Sequence, residues 1–105
     1  MPEPITITIS HSLGRDEARR RLDEGLEYVR SQLAPFVSSI NYGWTSYRLN
    51  FGLAAIGQSI NGLIVVEDRL VRIELGLPPL LHLFTKPIID RIRSEGIRLL
   101  DKPGG

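Results

Sequence analysis

Alternating apolar and polar positions dominate residues 40–75, and this pattern predicts four consecutive β-strands. Side chains on a strand alternate between faces, so each two-residue turn decides which residues lie opposite one another. Turns at residues 45–46 and 57–58, and a third turn within residues 67–69, place the apolar residues of all four strands on the same face. The predicted apolar face consists of Trp44, Tyr47, Leu49, Phe51, Ile64, Val66, Val71, Ile73 and Leu75. The sequence therefore predicts an antiparallel meander with one aromatic and aliphatic face.

The opposite face of the meander is predicted to be less polar than a solvated sheet face usually is. The predicted register places Arg48 opposite Glu67, a pair worth a few tenths to about 1 kcal/mol, and Gly52 beside Leu63. The apolar residues predicted on this face are Ala54, Ile56, Leu63, Val65 and Leu70, of which the first four are the candidate partner contacts. One interpretation is an ordinary scatter of exposed apolar residues. The other is a contact surface for a partner, with a homodimer as the expected assembly.

The segment before the meander contains a strand and a helix. Residues 5–9 alternate isoleucine and threonine strictly, which is typical of a β-strand, here at a sheet edge or chain start. A helix is predicted from residue 14 or 15 until Pro35 ends it. Its apolar stripe consists of Ala18, Leu22, Leu26, Val29 and Leu33. Gly25 lies on the same stripe, so we expect a close approach to the sheet there, over Trp44 or Tyr42.

The arginine run at residues 19–21 has two interpretations. Out of context it resembles a patch for nucleic acid or lipid headgroups. However, Asp16 precedes Arg20 by four positions and Glu17 precedes Arg21 by four, a spacing that forms ion pairs along a helix. The sequence therefore favours a solvated, salt-bridged helix face over a binding patch.

The segment after the meander is predicted to be helical, with a break. Residues 80–84 are apolar almost all round, and Thr85 and Pro87 interrupt the pattern. A single kinked helix is one interpretation, and a short helix followed by a second one capped by Thr85 is the other. The kinked or broken form is preferred, and Gly96 is a candidate end of the last helix. The conformation of residues 97–100 is left open.

Together these elements predict an α+β fold with two layers, in which an antiparallel sheet packs against two helices. The predicted order is β-α-β-β-β-β-α, an arrangement similar to a helix-grip fold. The length of 105 residues predicts one domain over residues 1–105, with enough buried surface to need no disulfide or metal.

Composition and charge exclude several classes of function. The chain has no cysteine, which removes thiol catalysis, zinc–thiolate sites and disulfides. Thirteen basic and twelve acidic residues leave a net charge of +1, so nucleic-acid binding by bulk charge is not expected. The first residues contain neither a basic leader nor an apolar run, and no segment has the roughly 20 apolar residues of a membrane span. We therefore expect a cytoplasmic protein without a transmembrane segment.

No catalytic constellation is predicted. His11 and His82 have no second histidine or carboxylate at metal-ligand spacing, so no metal, cofactor or catalytic residue is assigned. His11 is interpreted as a loop or capping residue and His82 as a partly buried helix residue. An enzyme acting on a hydroxyacyl substrate would require one of these histidines to meet a carboxylate in a cleft.

Three stretches carry a resemblance to a known family: ITITISHSLGRDEARRRLDEG, GQSINGLIVVEDRLVRIELGLPPLL and RIRSEGIRLLDK. They resemble the small polyhydroxyalkanoic acid system proteins, also called the polyhydroxyalkanoate granule-region family, over nearly the whole chain. The resemblance implies a role in the synthesis or use of bacterial storage polyester, including its granule surface, without assigned catalytic residues. Pro87 departs from the uninterrupted last helix expected for such a protein.

The resemblance and the apolar segment together suggest a non-enzymatic accessory protein. Its candidate contacts with a polyester granule or granule proteins are Leu80, Leu81, Leu83 and Phe84. The first alternative is a carrier of an apolar ligand such as an acyl chain, in a pocket between the sheet and the last helix. In that alternative Gly25 and Gly62 leave room for the ligand. The hydroxyacyl-processing enzyme is the second alternative.

Overall fold

A computed structural model describes residues 5–55 and 57–101 and confirms the predicted α+β order. Strand β1 (Ile5–Ser10) leads into helix α1 (Arg15–Leu33), which ends in a 3-10 turn (Ala34–Phe36). Four strands follow: β2 (Ser39–Thr45), β3 (Arg48–Ala55), β4 (Gln58–Val66) and β5 (Leu70–Gly76). A 3-10 helix (Pro79–Phe84) and helix α2 (Thr85–Asp101) complete the described chain.

The five strands form one antiparallel sheet in the order β1-β5-β4-β3-β2. The meander pairs each strand with its neighbour in sequence, and β1 joins the far side of β5 through the pair Ile7 and Ile73. Strand β1 therefore lies at a sheet edge, as the prolines before it indicated.

Two of the predicted hairpin registers are wrong by two residues. The first hairpin closes at Thr45 and Arg48, and the second at Ala55 and Gln58, so each turn is displaced by one position. At the first turn Ser46 has a positive φ of 57°, which allows a tight two-residue connection. As a consequence Arg48 lies opposite Val65 and not Glu67. On the same face Gly52 pairs with Asn61, and the predicted neighbour Leu63 pairs with Asn50.

The predicted apolar face is nevertheless confirmed. A shift of two residues keeps every side chain on its original face, whereas a shift of one would have reversed them all. The hydrophobic core consists of this face, the isoleucines of β1 and the residues that pack on the sheet from the two helices. Its fully buried members include Ile7, Leu49 and Val71.

Helix α1 begins at Arg15, as predicted, but the apolar stripe that it buries is shorter than its sequence suggests. Ala18, Leu22 and Gly25 are buried, and Leu26 packs against the core. Val29, which was placed on the buried stripe, is exposed. The helix therefore contacts the core mainly through its first three turns.

The glycines of the two helices mark close contacts that differ from those predicted. A β-carbon at Gly25 would lie 2.5 Å from Leu99 of α2, so this glycine brings the two helices together and does not face Trp44 or Tyr42. A β-carbon at Gly96 would lie 2.4 Å from Ile9 of β1. Gly96 is thus a packing position inside α2 and not its end, and the helix continues through Leu100, which is buried.

The break before α2 takes the form of a change from 3-10 to α-helix at Thr85. The Thr85 hydroxyl donates to the carbonyl oxygen of His82 at 2.8 Å, so it closes the preceding turn and does not cap α2. Pro87 lies in the first turn of α2, where a missing backbone N–H is tolerated. This position explains why the proline does not interrupt the helix.

Candidate functional site

The apolar segment at residues 80–84 forms most of the 3-10 helix Pro79–Phe84, which connects the sheet to α2. Leu83 is 90% exposed and Phe84 is 54% exposed, whereas Leu81 is only partly exposed. The side chain of Leu80 lies outside the described part of the structure. Two of the four predicted contact residues are therefore large apolar side chains that face solvent next to each other.

Several hydrogen bonds fix the shape of this apolar turn. The backbone N–H of Leu81 donates to the carbonyl oxygen of Pro78 at 2.9 Å. The Nε2 atom of His82 lies 3.3 Å from the carbonyl oxygen of Leu77, a residue that is itself buried. Leu83 and Phe84 are thus presented on an anchored turn.

The face of the sheet opposite the core contains the second predicted contact set. Ala54, Leu63 and Val65 are all partly exposed on this face, and Ile56 lies outside the described residues. Both helices pack on the other face, since the residues that line the core belong to it. Within residues 5–55 and 57–101 no element covers the opposite face, which we call the open face.

A groove of about 800 Å³ lies at the end of the sheet where β2 turns into β3. It is open to solvent, and its lining consists of residues 45–48, residues 65–68, Arg15 and Arg72. We call it the Arg48 groove. No part of the sequence analysis predicted it, because its lining comes from four separate segments and depends on the register of the sheet.

Charged side chains of both signs line the Arg48 groove. The guanidinium of Arg72 lies 3.8 Å from the carboxylate of Glu67 and 3.6 Å from that of Glu74, distances longer than a hydrogen bond. Its Nε atom is shielded from solvent and has no hydrogen-bond partner among the described residues. Arg48, in contrast, has no carboxylate within ion-pair distance among the described residues.

Three carboxylates of helix α1 accept hydrogen bonds from aromatic side chains of β2 and of the β2–β3 turn. Asp16 accepts a hydrogen bond of 2.5 Å from the Tyr47 hydroxyl, and Asp23 accepts one of 2.9 Å from the indole N–H of Trp44. The Tyr42 hydroxyl donates to Glu27 in the same way. These hydrogen bonds raise the pKa of both tyrosines, because ionisation would place a phenolate beside a carboxylate.

Sequence reasoning missed these contacts and assigned the same acids to the solvent. The sequence does contain a pattern that indicates these contacts. Asp16, Asp23 and Glu27 are spaced by seven and four residues and therefore share one helix face. Two arginines of α1 strengthen its contact with the aromatic side chains. The guanidinium of Arg19 lies 4.5 Å from the ring centre of Trp44, and that of Arg15 lies 4.8 Å from the ring centre of Tyr47.

The predicted salt-bridged face of α1 is confirmed in part. Arg21 binds Glu17 at 2.9 Å, as the spacing indicated. Arg20, however, pairs with Glu17 and Glu24 and not with Asp16. The bonds to Arg20 and Arg21 lower the pKa of Glu17 to about 2.

Both histidines contact the backbone. The Nδ1 atom of His11 accepts the N–H of Leu13 at 3.1 Å, so the other ring nitrogen carries the proton and donates to the carbonyl oxygen of Glu67 at 3.0 Å. The contact of His82 is likewise to a carbonyl oxygen. Neither of these bonds involves the carboxylate that the hydroxyacyl-processing enzyme would require.

No three side chains of His, Asp or Glu in residues 5–55 and 57–101 are grouped to hold a metal ion. None of the helices in this part of the chain combines the length and apolar character needed to cross a bilayer.

Comparison with known protein families gives a match over most of the chain. A family model described as "Putative polyhydroxyalkanoic acid system protein" matches residues 5–100. No curated protein and no solved structure matches the chain significantly.

Proposed function

We propose that this chain, which belongs to the polyhydroxyalkanoic acid system protein family, is an accessory protein that attaches to storage polyester through Leu83 and Phe84. The family places the chain in the polyhydroxyalkanoate system. The proposal adds that the protein acts by binding an apolar surface, such as that of a granule, and catalyses no reaction.

The exposure of Leu83 and Phe84 is the observation that carries the proposal. Leucine and phenylalanine are among the residues most often buried, yet these two neighbours are 90% and 54% exposed. The hydrogen bonds of His82 and Thr85 order the turn before any partner binds. Less conformational entropy is therefore lost when these side chains are buried on binding.

The expected gain from burying the two side chains is moderate. Full burial of one leucine or phenylalanine side chain contributes about 1.5–3 kcal/mol. Two side chains therefore suffice for reversible attachment, since part of the gain is lost to immobilisation of the protein. A polymer surface presents many equivalent sites, so such attachment is sufficient to enrich the protein there.

The alternative of an apolar-ligand carrier has less support. It required free space beside Gly25 and Gly62. Leu99 fills the space beside Gly25, and the ring of Phe51 fills the space beside Gly62, where a β-carbon would lie 2.2 Å from it. The two glycines thus accommodate neighbouring side chains of the protein itself.

Co-sedimentation with purified polyester granules tests the proposal. The wild-type protein is expected in the pellet, and the double variant Leu83→Asp/Phe84→Asp in the supernatant, with at least a tenfold lower bound fraction. Two buried carboxylates at an apolar surface would cost far more than the apolar contact provides.

Ile97 offers a matched control. It is 47% exposed and lies twelve residues after the start of α2, about 18 Å along the helix from the apolar turn. Ile97→Asp is expected to bind granules like the wild type. Equal binding by the Leu83→Asp/Phe84→Asp variant, with its circular dichroism spectrum unchanged, would refute the proposal.

A further inference from the structure

We infer that the Arg48 groove is a binding site for a small organic monocarboxylate. This inference is independent of the proposed attachment to polyester, because it concerns the opposite end of β5 from the apolar turn. It rests on the order of side chains across the sheet, on the charges of the lining and on its apolar wall.

The sheet register places two arginines on either side of one apolar residue. Val65 of β4 pairs with Arg48 of β3 on one side and with Arg72 of β5 on the other. All three residues line the groove and lie on the open face. Directly opposite residues have β-carbons about 5 Å apart, so the two arginine stems begin about 10 Å apart. Two long side chains at this distance are able to reach one carboxylate from opposite sides.

The hydrogen-bonding capacity of these arginines is not used within the described chain. A guanidinium offers five N–H donors in a planar fork that matches a carboxylate. The carboxylates nearest to Arg72 are 3.6 and 3.8 Å away, and Arg48 has none among the residues that the structure describes. A bound carboxylate would supply the missing acceptors.

The remaining lining favours a monoanion with an acyl chain over phosphate. Three arginines, at positions 15, 48 and 72, and two acids, Glu67 and Asp68, line the groove. Glu67 and Glu74 lie beside Arg72, so Arg48 is the arginine on this face without a carboxylate neighbour among the described residues. A singly charged ligand pairs with the unmatched charge of Arg48, whereas a dianion is repelled about twice as strongly by the neighbouring acids. Val65, which is partly exposed, provides apolar surface for a short hydrocarbon chain.

Titration followed by two-dimensional ¹⁵N–¹H NMR, at constant ionic strength, tests the inference with three probes. Butyrate is expected to shift the amide signals of residues 45–48 and 65–68. Butyramide, which has the same shape without the charge, is expected to leave them unchanged, and inorganic phosphate is expected to bind at least threefold more weakly.

Variants connect the signals to the groove. Arg48→Gln is expected to weaken butyrate binding at least tenfold, and Arg48→Lys by a smaller factor because it keeps the charge without the fork. Arg93→Gln is the control, since Arg93 is exposed on α2. The Leu83→Asp/Phe84→Asp variant is expected to bind butyrate normally, which separates this inference from the proposed function.

Three results would overturn the inference. One is a set of equal shifts with butyramide, another is tighter binding of phosphate than of butyrate, and the third is equal affinity of the Arg48→Gln and Arg93→Gln variants. Retained dispersion of the amide signals shows in the same spectra that each variant is folded.

Discussion

At the scale of single residues, the bond between Tyr47 and Asp16 connects the β2–β3 turn to the start of α1. The Tyr47 hydroxyl donates to the carboxylate, and this hydrogen bond raises the pKa of the phenol above its ordinary value of 10.0. A phenol pKa that is raised by folding stabilises the folded state below pH 10. This contribution is lost as the pH rises through the pKa of Tyr47 in the folded protein.

We predict that Asp16→Asn lowers the pKa of Tyr47 towards 10, because an amide repels the phenolate less than a carboxylate does. The ionisation is measured by absorbance near 295 nm against pH, over the range in which the protein stays folded. Asp90→Asn, at an exposed position of α2, is the control and is expected to leave the curve unchanged. Identical titration curves for the wild type and Asp16→Asn would contradict the prediction.

At the scale of elements, Gly62 marks a close contact among strands β3, β4 and β5. A β-carbon there would lie 2.2 Å from the Phe51 ring and 2.8 Å from the carbonyl oxygen of Glu74. The Phe51 ring packs against the core, and the carbonyl belongs to the backbone of β5, so neither gives way without a shift of its surroundings. Gly62→Ala is therefore predicted to destabilise the protein by about 1–3 kcal/mol, as overpacking does.

Urea denaturation measures this change, with Gly43→Ala as the matched control. Gly43 is also a strand glycine, but its β-carbon would meet no atom within 4 Å. Alanine at this position restricts the unfolded chain without a clash, so the stability is expected to stay equal or to rise. A Gly62→Ala midpoint as high as that of Gly43→Ala would show that the sheet adapts freely.

The elements and their faces were predictable from the sequence, whereas the exact pairing was not. Period-two alternation identifies the buried face, and a turn displaced by one position shifts the pairing by two residues, which preserves that face. The side chains near the first turn decided the register: Tyr47 in the turn bonds to Asp16, and its carbonyl oxygen accepts the N–H of Val66. Such contacts join residues distant in sequence, and no local pattern encodes them.

At the scale of the whole molecule, the two candidate sites differ in how far the sequence revealed them. The apolar turn is continuous in sequence, so its excess of leucine and phenylalanine was visible before the fold was known. The Arg48 groove combines α1, the β2–β3 turn and strands β4 and β5. Its arginines, taken one at a time, have no pattern that distinguishes them from other surface charges.

The open face leads to a prediction about assembly, namely that two copies of the chain pair through the part of it around Ala54 and Leu63, which leaves the Arg48 groove at the end of the sheet accessible. A two-fold contact brings the same patch of both copies together, and Leu63 lies on β4, the central strand of the sheet order. Leu63→Arg would place two like charges within one apolar contact. It is therefore predicted to convert a dimer into a monomer, while leaving the fold intact because the residue does not belong to the core.

Light scattering coupled to size-exclusion chromatography measures the molar mass that decides this prediction. The wild type is expected at twice the 11.8 kDa of one chain, and the Leu63→Arg variant at the mass of one chain. Ser94→Arg adds the same charge at an exposed position of α2 and is expected to remain dimeric. A wild-type mass of a single chain at all concentrations, or a dimer that survives Leu63→Arg, would exclude pairing through the open face. In either case Ala54 and Leu63 would belong to the ordinary apolar fraction of a protein surface.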